Sequence, residues 1–377
     1  MKKRLGVIVN GATGRIGFNQ HLVRALLVLR QDGIVADGGD AVFPDIFLVG
    51  RNPEKLRTVC SEFGIKNWTT DIESALSDAN YPVYFDSTVT SARFANVALA
   101  LQAGKHVFCE KPLAPTFEEA EQLVTLANKN KARNGVVMSH LWLPGMRKLK
   151  GLIDSGYFGQ ILSIKGDFGY WVHQGNEIKA QRPSWNYRKE NGGGLVMDMT
   201  CHWHYILEYL FGSPKRVLCL SKTLIDRRWD ENGKPYVATA DDMAFAIVEL
   251  DTGIPVQLSM SWCTRVRRDD LLVIQVDGTN GSAVAGVRNC YLQESTETPT
   301  ITWNPDRTAT SEFMDDWRPL QDNEEYENPF LAQWKCFLSH VVDGAAFPWN
   351  FASASRGVSF VEACCRSAAT QTWQYSG

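Results

Sequence analysis

The chain has 377 residues, too many for one ordinary hydrophobic core, so two domains are expected. It is 44% hydrophobic and 21% charged, with a net charge of −3 and a pI near 6.2, a balance that excludes a strongly basic binder of nucleic acid or of membrane surfaces. No apolar run approaches the roughly 20 residues of a bilayer span.

The apolar stretch of "MKKRLGVIVNGATG" stops at Asn10, too soon for the core of a secretory signal, and reads as a strand. Nine scattered cysteines without C-x-x-C spacing fit reduced thiols rather than a disulfide framework, so the cytoplasm is the expected location.

Residues 1–136 alternate strand and helix periods, as in a parallel βαβ sheet covered on both faces. "RLGVIV" is the first strand, and "FNQHLVRALLVLRQ" has helical spacing of Leu22, Ala25, Leu26 and Leu29. The Gly- and Asp-rich "DGIVADGGDAVFPD" reads as a surface loop before the next strand, in "DIFLVGRNPEKLRTV". "YPVYFDST", "GKHVFCEKP" and "NGVVMSH" supply three further strands.

Between the first strand and helix, Gly11, Gly14 and Gly17 form G-x-x-G-x-x-G. Residues without a Cβ let backbone N–H groups approach a pyrophosphate at a helix N-terminus. Gly11, Thr13, Gly14, Arg15, Ile16 and Gly17 are therefore the expected phosphate-binding turn, with Ser87 and Thr88 at a later strand end as further cofactor contacts. Where a carboxylate usually holds the adenosine ribose of NAD, this chain reads "LVGRN". Gly50 in place of an acid, followed by Arg51 and Asn52, favours the extra phosphate of NADP, with NAD as the alternative.

From about residue 155 the periodicity changes to long alternating strands. "QILSIKGDFGYWV", "MAFAIVELDTGIPVQLSMSW" and "LLVIQVDGTNGSAVAG" read as an antiparallel set with turns at Asp251-Thr252-Gly253 and Asp277-Gly278. Before them, "FGYWVHQGNEIKAQRPSWNYRKENGGG" is rich in aromatic and basic residues. Tyr170, Trp171, His173, Arg182, Trp185, Tyr187 and Arg188 could stack on and hydrogen-bond a polyhydroxylated ring.

"GGGLVMDMTCHWHYILEYLF" crowds an acid, a thiol and two imidazoles at the start of a helix that Gly192–Gly194 precede and Gly212 ends. Asp198 and His202, four apart, share a helix face. His204 lies roughly 200° around the helix from His202, so the two imidazoles cannot easily grip one ion. No third ligand completes a metal set on this helix, and no metal site is expected.

"ALALQAGKHVFCEKPLAPTFEEAEQLV" carries the most specific signal. It resembles the Gfo/Idh/MocA oxidoreductases, in which a strand ends in A-G-K-H-V-x-x-E-K-P; Glu110, Lys111 and Pro112 match that ending. The resemblance continues through "MRKLKGLIDSGYFGQILSIKG" and "GGGLVMDMTCH", and so covers nearly the whole chain. It implies an α/β N-terminal Rossmann domain (1–136, with a C-terminal helix at 350–377 nearby). An α+β C-terminal domain (137–349) with a large, mostly antiparallel open sheet would bind substrate and form a homodimer or homotetramer.

The implied activity is hydride transfer between nicotinamide C4 and a secondary alcohol of a sugar, inositol or glycoside. The alternatives are a dihydrodiol dehydrogenase, a cofactor-assisted glycosidase, or a non-catalytic NADP sensor. Lys111 would polarise the hydroxyl or relay its proton, Glu110, Lys111 and Pro112 would line the cofactor, and His202 would be the general base beside Asp198. The chain departs from the family in a glycine turn one residue longer. It also has Val89 and Arg93 in place of a Pro and a His after the fourth strand, and Tyr205 where an Asp is frequent.

Overall fold

The computed structural model describes residues 3–35, 39, 41–301, 304–307, 313–322 and 324–376. These form two compact units, Met1–Trp142 with Glu327–Glu362 and Leu143–Tyr326 with Ala363–Gly377.

In the first unit, β1 (Lys3–Asn10) leads to a helix, α1, that is π-wound over Gly17–Leu26 and α-wound over Leu27–Asp32. Then come β2 (Ile34–Val35), β3 (Ala41–Val49), α2 (Pro53–Phe63), β4 (Asn67–Thr69), α3 (Ile72–Ser77) and β5 (Val83–Asp86). They are followed by α4 (Thr90–Gln102), β6 (His106–Cys109), α5 (Phe117–Lys129) and β7 (Asn134–Val136). The sheet runs β3-β1-β5-β6-β7, with β2 and β4 both on the outer edge of β3.

All these pairings are parallel except that of β2 with β3. The strand order reverses between β1 and β5, which places the binding crevice of an open parallel sheet beyond their carboxyl ends. The helices start and stop where their caps dictate. Asn52 Oδ1 accepts the Lys55 N–H ahead of Pro53, and Gly64 closes α2 in the left-handed region at φ 59°.

Two expectations for this region change. The stretch read as a surface loop before "DIFLVG" instead gives β2 and lengthens β3, because Ile34 and Val35 pair antiparallel with Val42 and Ala41; residues 36–38 and 40 lie outside the described set. The segment 327–349, expected in the second domain, groups with the first unit. Its helix, Pro329–Asp343, carries Trp334 and Phe337 into the aromatic core of the sheet. Phe337 stacks on Phe108 at 4.6 Å, and Trp334 lies 5.0 Å from both Phe85 and Phe108.

The second unit contains α6 (Pro144–Asp154), β8 (Ile161–Gly169), α7 (Leu195–Leu210), β9 (Pro214–Lys222), β10 (Arg227–Trp229) and β11 (Pro235–Val237). It continues with β12 (Met243–Leu250), β13 (Pro255–Ser261), β14 (Leu272–Gly278), β15 (Gly281–Ala285), β16 (Cys290–Glu294) and β17 (Arg318–Pro319). A nine-stranded sheet includes β18 (Gln374–Tyr375) and has the order β17-β16-β15-β14-β8-β13-β12-β9-β18.

It is antiparallel throughout except between β8 and β13. The β14–β15 turn falls at Thr279-Asn280, two residues later than the expected Asp277-Gly278, since both of those residues still pair with β8. α7 packs on β9, β12 and β13. Gly166 makes room on β8 for the Trp203 ring, which a Cβ there would meet at 2.6 Å.

Candidate active site

The glycine turn sits at the carboxyl end of β1. Gly11 has φ +83°, and a Cβ on Gly17 would lie 2.4 Å from Ser87 Oγ and 2.5 Å from the Gly11 carbonyl. These two glycines are dictated by the turn and by the close approach of helix to strand end. Gly14 differs: a Cβ there would meet only the Gly11 carbonyl, at 3.2 Å. Gly14 and Arg15 are exposed, and the first turn of α1 has no acidic residue and no side-chain cap. Its N–H groups therefore suit an anion, and the residues present fit the pyrophosphate of a dinucleotide.

Ser87 and Thr88 stand at the end of β5. Ser87 Oγ donates to the Asn10 carbonyl at 2.9 Å, and Asp86 Oδ1 accepts from both the N–H and the hydroxyl of Thr88. Arg51 is exposed just beyond β3, while Asn52, a predicted cofactor contact, uses its side chain to cap α2.

Glu110, Lys111 and Pro112 follow β6, with a cis Lys111–Pro112 peptide. Two side chains from other elements hold this loop. Arg93, buried on α4, donates to the carbonyls of Pro112 and Thr88 and pairs with Asp86. The residue that replaces the family's histidine thus ties the loop to the end of β5. His21 of α1 places Nε2 2.8 Å from Glu110 Oε1. Burial pushes the Glu110 carboxyl up, but the hydrogen bond and charge of His21, with the charges of Lys111 and Arg93, outweigh it and hold it below the usual carboxylate range.

In the second unit, α7 begins without a side-chain cap because Gly194, at φ 129°, precedes it. Asp241 supplies the cap: its carbonyl accepts from Leu195 N and its Oδ2 from Val196 N at 2.8 Å. The glycine run does more than break a helix. A Cβ on Gly193 would strike the carbonyls of Trp185 and Asn186 at 2.4 and 2.6 Å.

On α7, Asp198 Oδ2 accepts from Arg182 Nη1 at 3.0 Å, and His202 Nδ1 lies 2.6 Å from the Tyr205 hydroxyl. Arg182 also donates from Nε to Tyr170 Oη at 3.0 Å, and its guanidinium lies 4.2 Å over the Trp262 ring. Burial lowers the Arg182 pKa, yet the Asp198 charge raises it beyond its ordinary value. The departure at 205 therefore gives the imidazole a phenol partner, and Arg182 is occupied with the acid.

Among the other predicted ring-binding residues, Tyr170, Trp171 and His173 are half-buried and Trp185 is exposed. Trp171 carries the Arg265 guanidinium 4.1 Å over its ring, and His173 N donates to Gln181 Oε1 at 2.9 Å. Tyr187 is interior, its ring 3.8 Å beneath the Arg228 guanidinium and 5.3 Å from Trp262. Arg188 stacks over Tyr236 at 4.3 Å. His204 is 2% exposed and Cys201 is buried, and all nine cysteines are free thiols. Among the described residues no three of His, Cys, Asp or Glu gather around one point, and no helix is long and apolar enough to cross a membrane.

Residues 39–138 match the family described as "Oxidoreductase family, NAD-binding Rossmann fold", and residues 146–284 match the "GFO/IDH/MocA C-terminal domain". The chain is 46% identical over 361 residues to D-xylose dehydrogenase of Paenarthrobacter nicotinovorans, covering 94% of this chain and 93% of that protein. It is 25% identical over 344 residues to 1,5-anhydro-D-fructose reductase of Ensifer adhaerens, covering 90% and 92%. Its fold matches that of levoglucosan dehydrogenase in complex with NADH and L-sorbose, at a TM-score of 0.82 and 20% identity over 100% of this chain and 99% of that one. The chain belongs to the GFO/IDH/MocA family and is an NAD-binding oxidoreductase acting on CH–OH groups.

Proposed function

We propose that this oxidoreductase is a sugar dehydrogenase whose substrate is an aldose of the D-xylose type. The observation that carries this reading is the 46% identity to D-xylose dehydrogenase across 94% of the chain. Oxidation breaks the C–H and O–H bonds of one carbinol and forms C=O, with the proton leaving through the protein. The bound nicotinamide supplies the acceptor of the hydride at C4.

Lys111 polarises the reacting hydroxyl or relays its proton, and His202 is the general base of the reaction, its other ring nitrogen held by Tyr205. Asp198 is fixed for this work by Arg182. Tyr170, Trp171, His173 and Trp185 contact the sugar, while the buried Tyr187 supports the shelf on which Arg182 lies.

The preferred cofactor is NADP, since an exposed Arg51 and a carboxylate-free Gly50 stand at the end of β3. The nine free thiols favour the cytoplasm. Leu220, Phe245 and Ile247, exposed on neighbouring β9 and β12, favour burial against a second copy in a homodimer or homotetramer.

The test is a panel of sugars, inositols and glycosides with both cofactors, following reduced nicotinamide. Turnover of aldoses, faster with NADP, is expected, and turnover of inositols alone overturns the assignment. Lys111→Ala and His202→Ala should each abolish turnover while largely sparing cofactor binding; a near-wild-type rate in either refutes its role.

A further inference from the structure

His21 is fully buried in the π-wound part of α1, and both of its ring nitrogens are engaged. Nε2 lies 2.8 Å from Glu110 Oε1, and Nδ1 accepts from Trp334 Nε1 at 3.0 Å. An indole N–H can only donate, so Nδ1 has no proton and Nε2 must carry the one given to Glu110. The indole partner thereby fixes the orientation of the ring and the nitrogen that faces Glu110.

The ring is also clamped in place. The Phe85 centroid is 4.3 Å away, and Phe330 packs edge-on at 5.0 Å. At the far end, Glu110 Oε2 accepts from the Lys111 N–H at 3.1 Å. A continuous chain, Trp334→His21→Glu110←Lys111 N–H, therefore joins the helix Pro329–Asp343, α1 and the loop after β6. The groups acting on that carboxylate are His21 itself, then Lys111 beside it and Arg93 from α4, which is paired with Asp86.

We propose that His21 and Trp334 are positioning residues for the reaction: through Glu110 they hold the Lys111 backbone in place and fix the carboxylate beside it. The proposal rests on the reading of Lys111 as a residue of the reaction. π-winding is uncommon and concentrates at functional sites, and here it carries the imidazole that meets the loop.

The test measures kcat, KM and the pH profile in His21→Leu, His21→Gln and Trp334→Phe, with thermal melting and NADH binding as controls for folding. His21→Leu removes the donor to Glu110; kcat should fall about tenfold to a hundredfold, and its acidic limb should move to higher pH, as expected for a carboxylate losing one hydrogen bond. KM should change little. His21→Gln, whose amide can still donate, should recover most of kcat.

Trp334→Phe keeps an aromatic ring and removes the N–H. Nδ1 then loses the donor that orients the ring, and kcat should fall with KM little changed. This variant also decides the matter if His21→Leu does not fold. Wild-type kcat and pH profile in folded His21→Leu and Trp334→Phe overturn the proposal, as does a His21→Gln variant as impaired as His21→Leu. Lys111→Met is assayed in parallel. If it retains turnover, both the reading of Lys111 and this proposal fall; if it is inactive while the His21 and Trp334 variants behave as wild type, only this proposal falls.

Discussion

Arg182 places Nη1 3.0 Å from Asp198 Oδ2, so the acid one helical turn before His202 is held by a guanidinium from the preceding loop. The same guanidinium lies 4.2 Å over Trp262 and donates Nε to Tyr170. Three restraints on one planar group leave it a single orientation, and Asp198 inherits that orientation.

Arg182→Ala should therefore impair catalysis although Arg182 need not touch the substrate. It leaves a partly buried carboxylate without its charged partner, at a cost of about 1–3 kcal/mol, and kcat/KM should fall about tenfold to a hundredfold. Arg182→Lys should restore little, because one ammonium cannot serve Asp198 and Tyr170 and also stack on Trp262. Steady-state kinetics of both variants check this; full activity in Arg182→Lys refutes it.

Gly17 and Gly14 of the first turn should separate stability from cofactor binding. A Cβ on Gly17 would collide with Ser87 Oγ and the Gly11 backbone, so Gly17→Ala should destabilise the protein by about 1–3 kcal/mol. Gly14→Ala meets only one carbonyl, at 3.2 Å. It should cost within about 1 kcal/mol of stability and weaken cofactor binding about tenfold, the equivalent of about 1.4 kcal/mol. Denaturant unfolding and cofactor titration measure the two effects, and equal stability losses would contradict the distinction.

The features legible in the sequence are those whose causes lie close together in the chain. The strand–turn–helix period, the glycine turn and Glu110-Lys111-Pro112 each fit within a few residues, and the helix holding Asp198 and His202 follows from local spacing. The features that escaped are those set by distant partners. His21 looks like one more residue of an amphipathic helix until its partners 89 and 313 positions away are known. Arg93 reads as a departure from a family pattern, and only the fold shows it bonded to the Pro112 carbonyl 19 positions on. Asp241 caps α7 from 45 positions beyond Val196, so the Ser, Thr, Asp or Asn expected at the helix start is absent from the local sequence.

That remote cap makes a prediction about pH in which two effects oppose each other. A carboxylate at a helix N-terminus is favoured by the helix dipole and by the N–H groups it accepts from. Burial of the Asp241 carboxyl acts the other way and is the largest influence; helped by the Asp242 charge, it outweighs the Val196 and Leu195 N–H groups and raises the pKa above its ordinary value. An acid whose folded pKa is raised favours the protonated form in the native state, so this group's contribution to stability is greatest at low pH and declines as pH rises through the raised folded value. Asparagine accepts the same cap hydrogen bond and never ionises. Asp241→Asn should thus be at least as stable as wild type at pH 7, and its advantage should shrink as pH falls toward the ordinary carboxylate range. Thermal melts from pH 7 down to about 4 check the sign. A variant markedly less stable at pH 7, whose deficit closes as pH falls, would show that the helix dipole wins over burial at this cap.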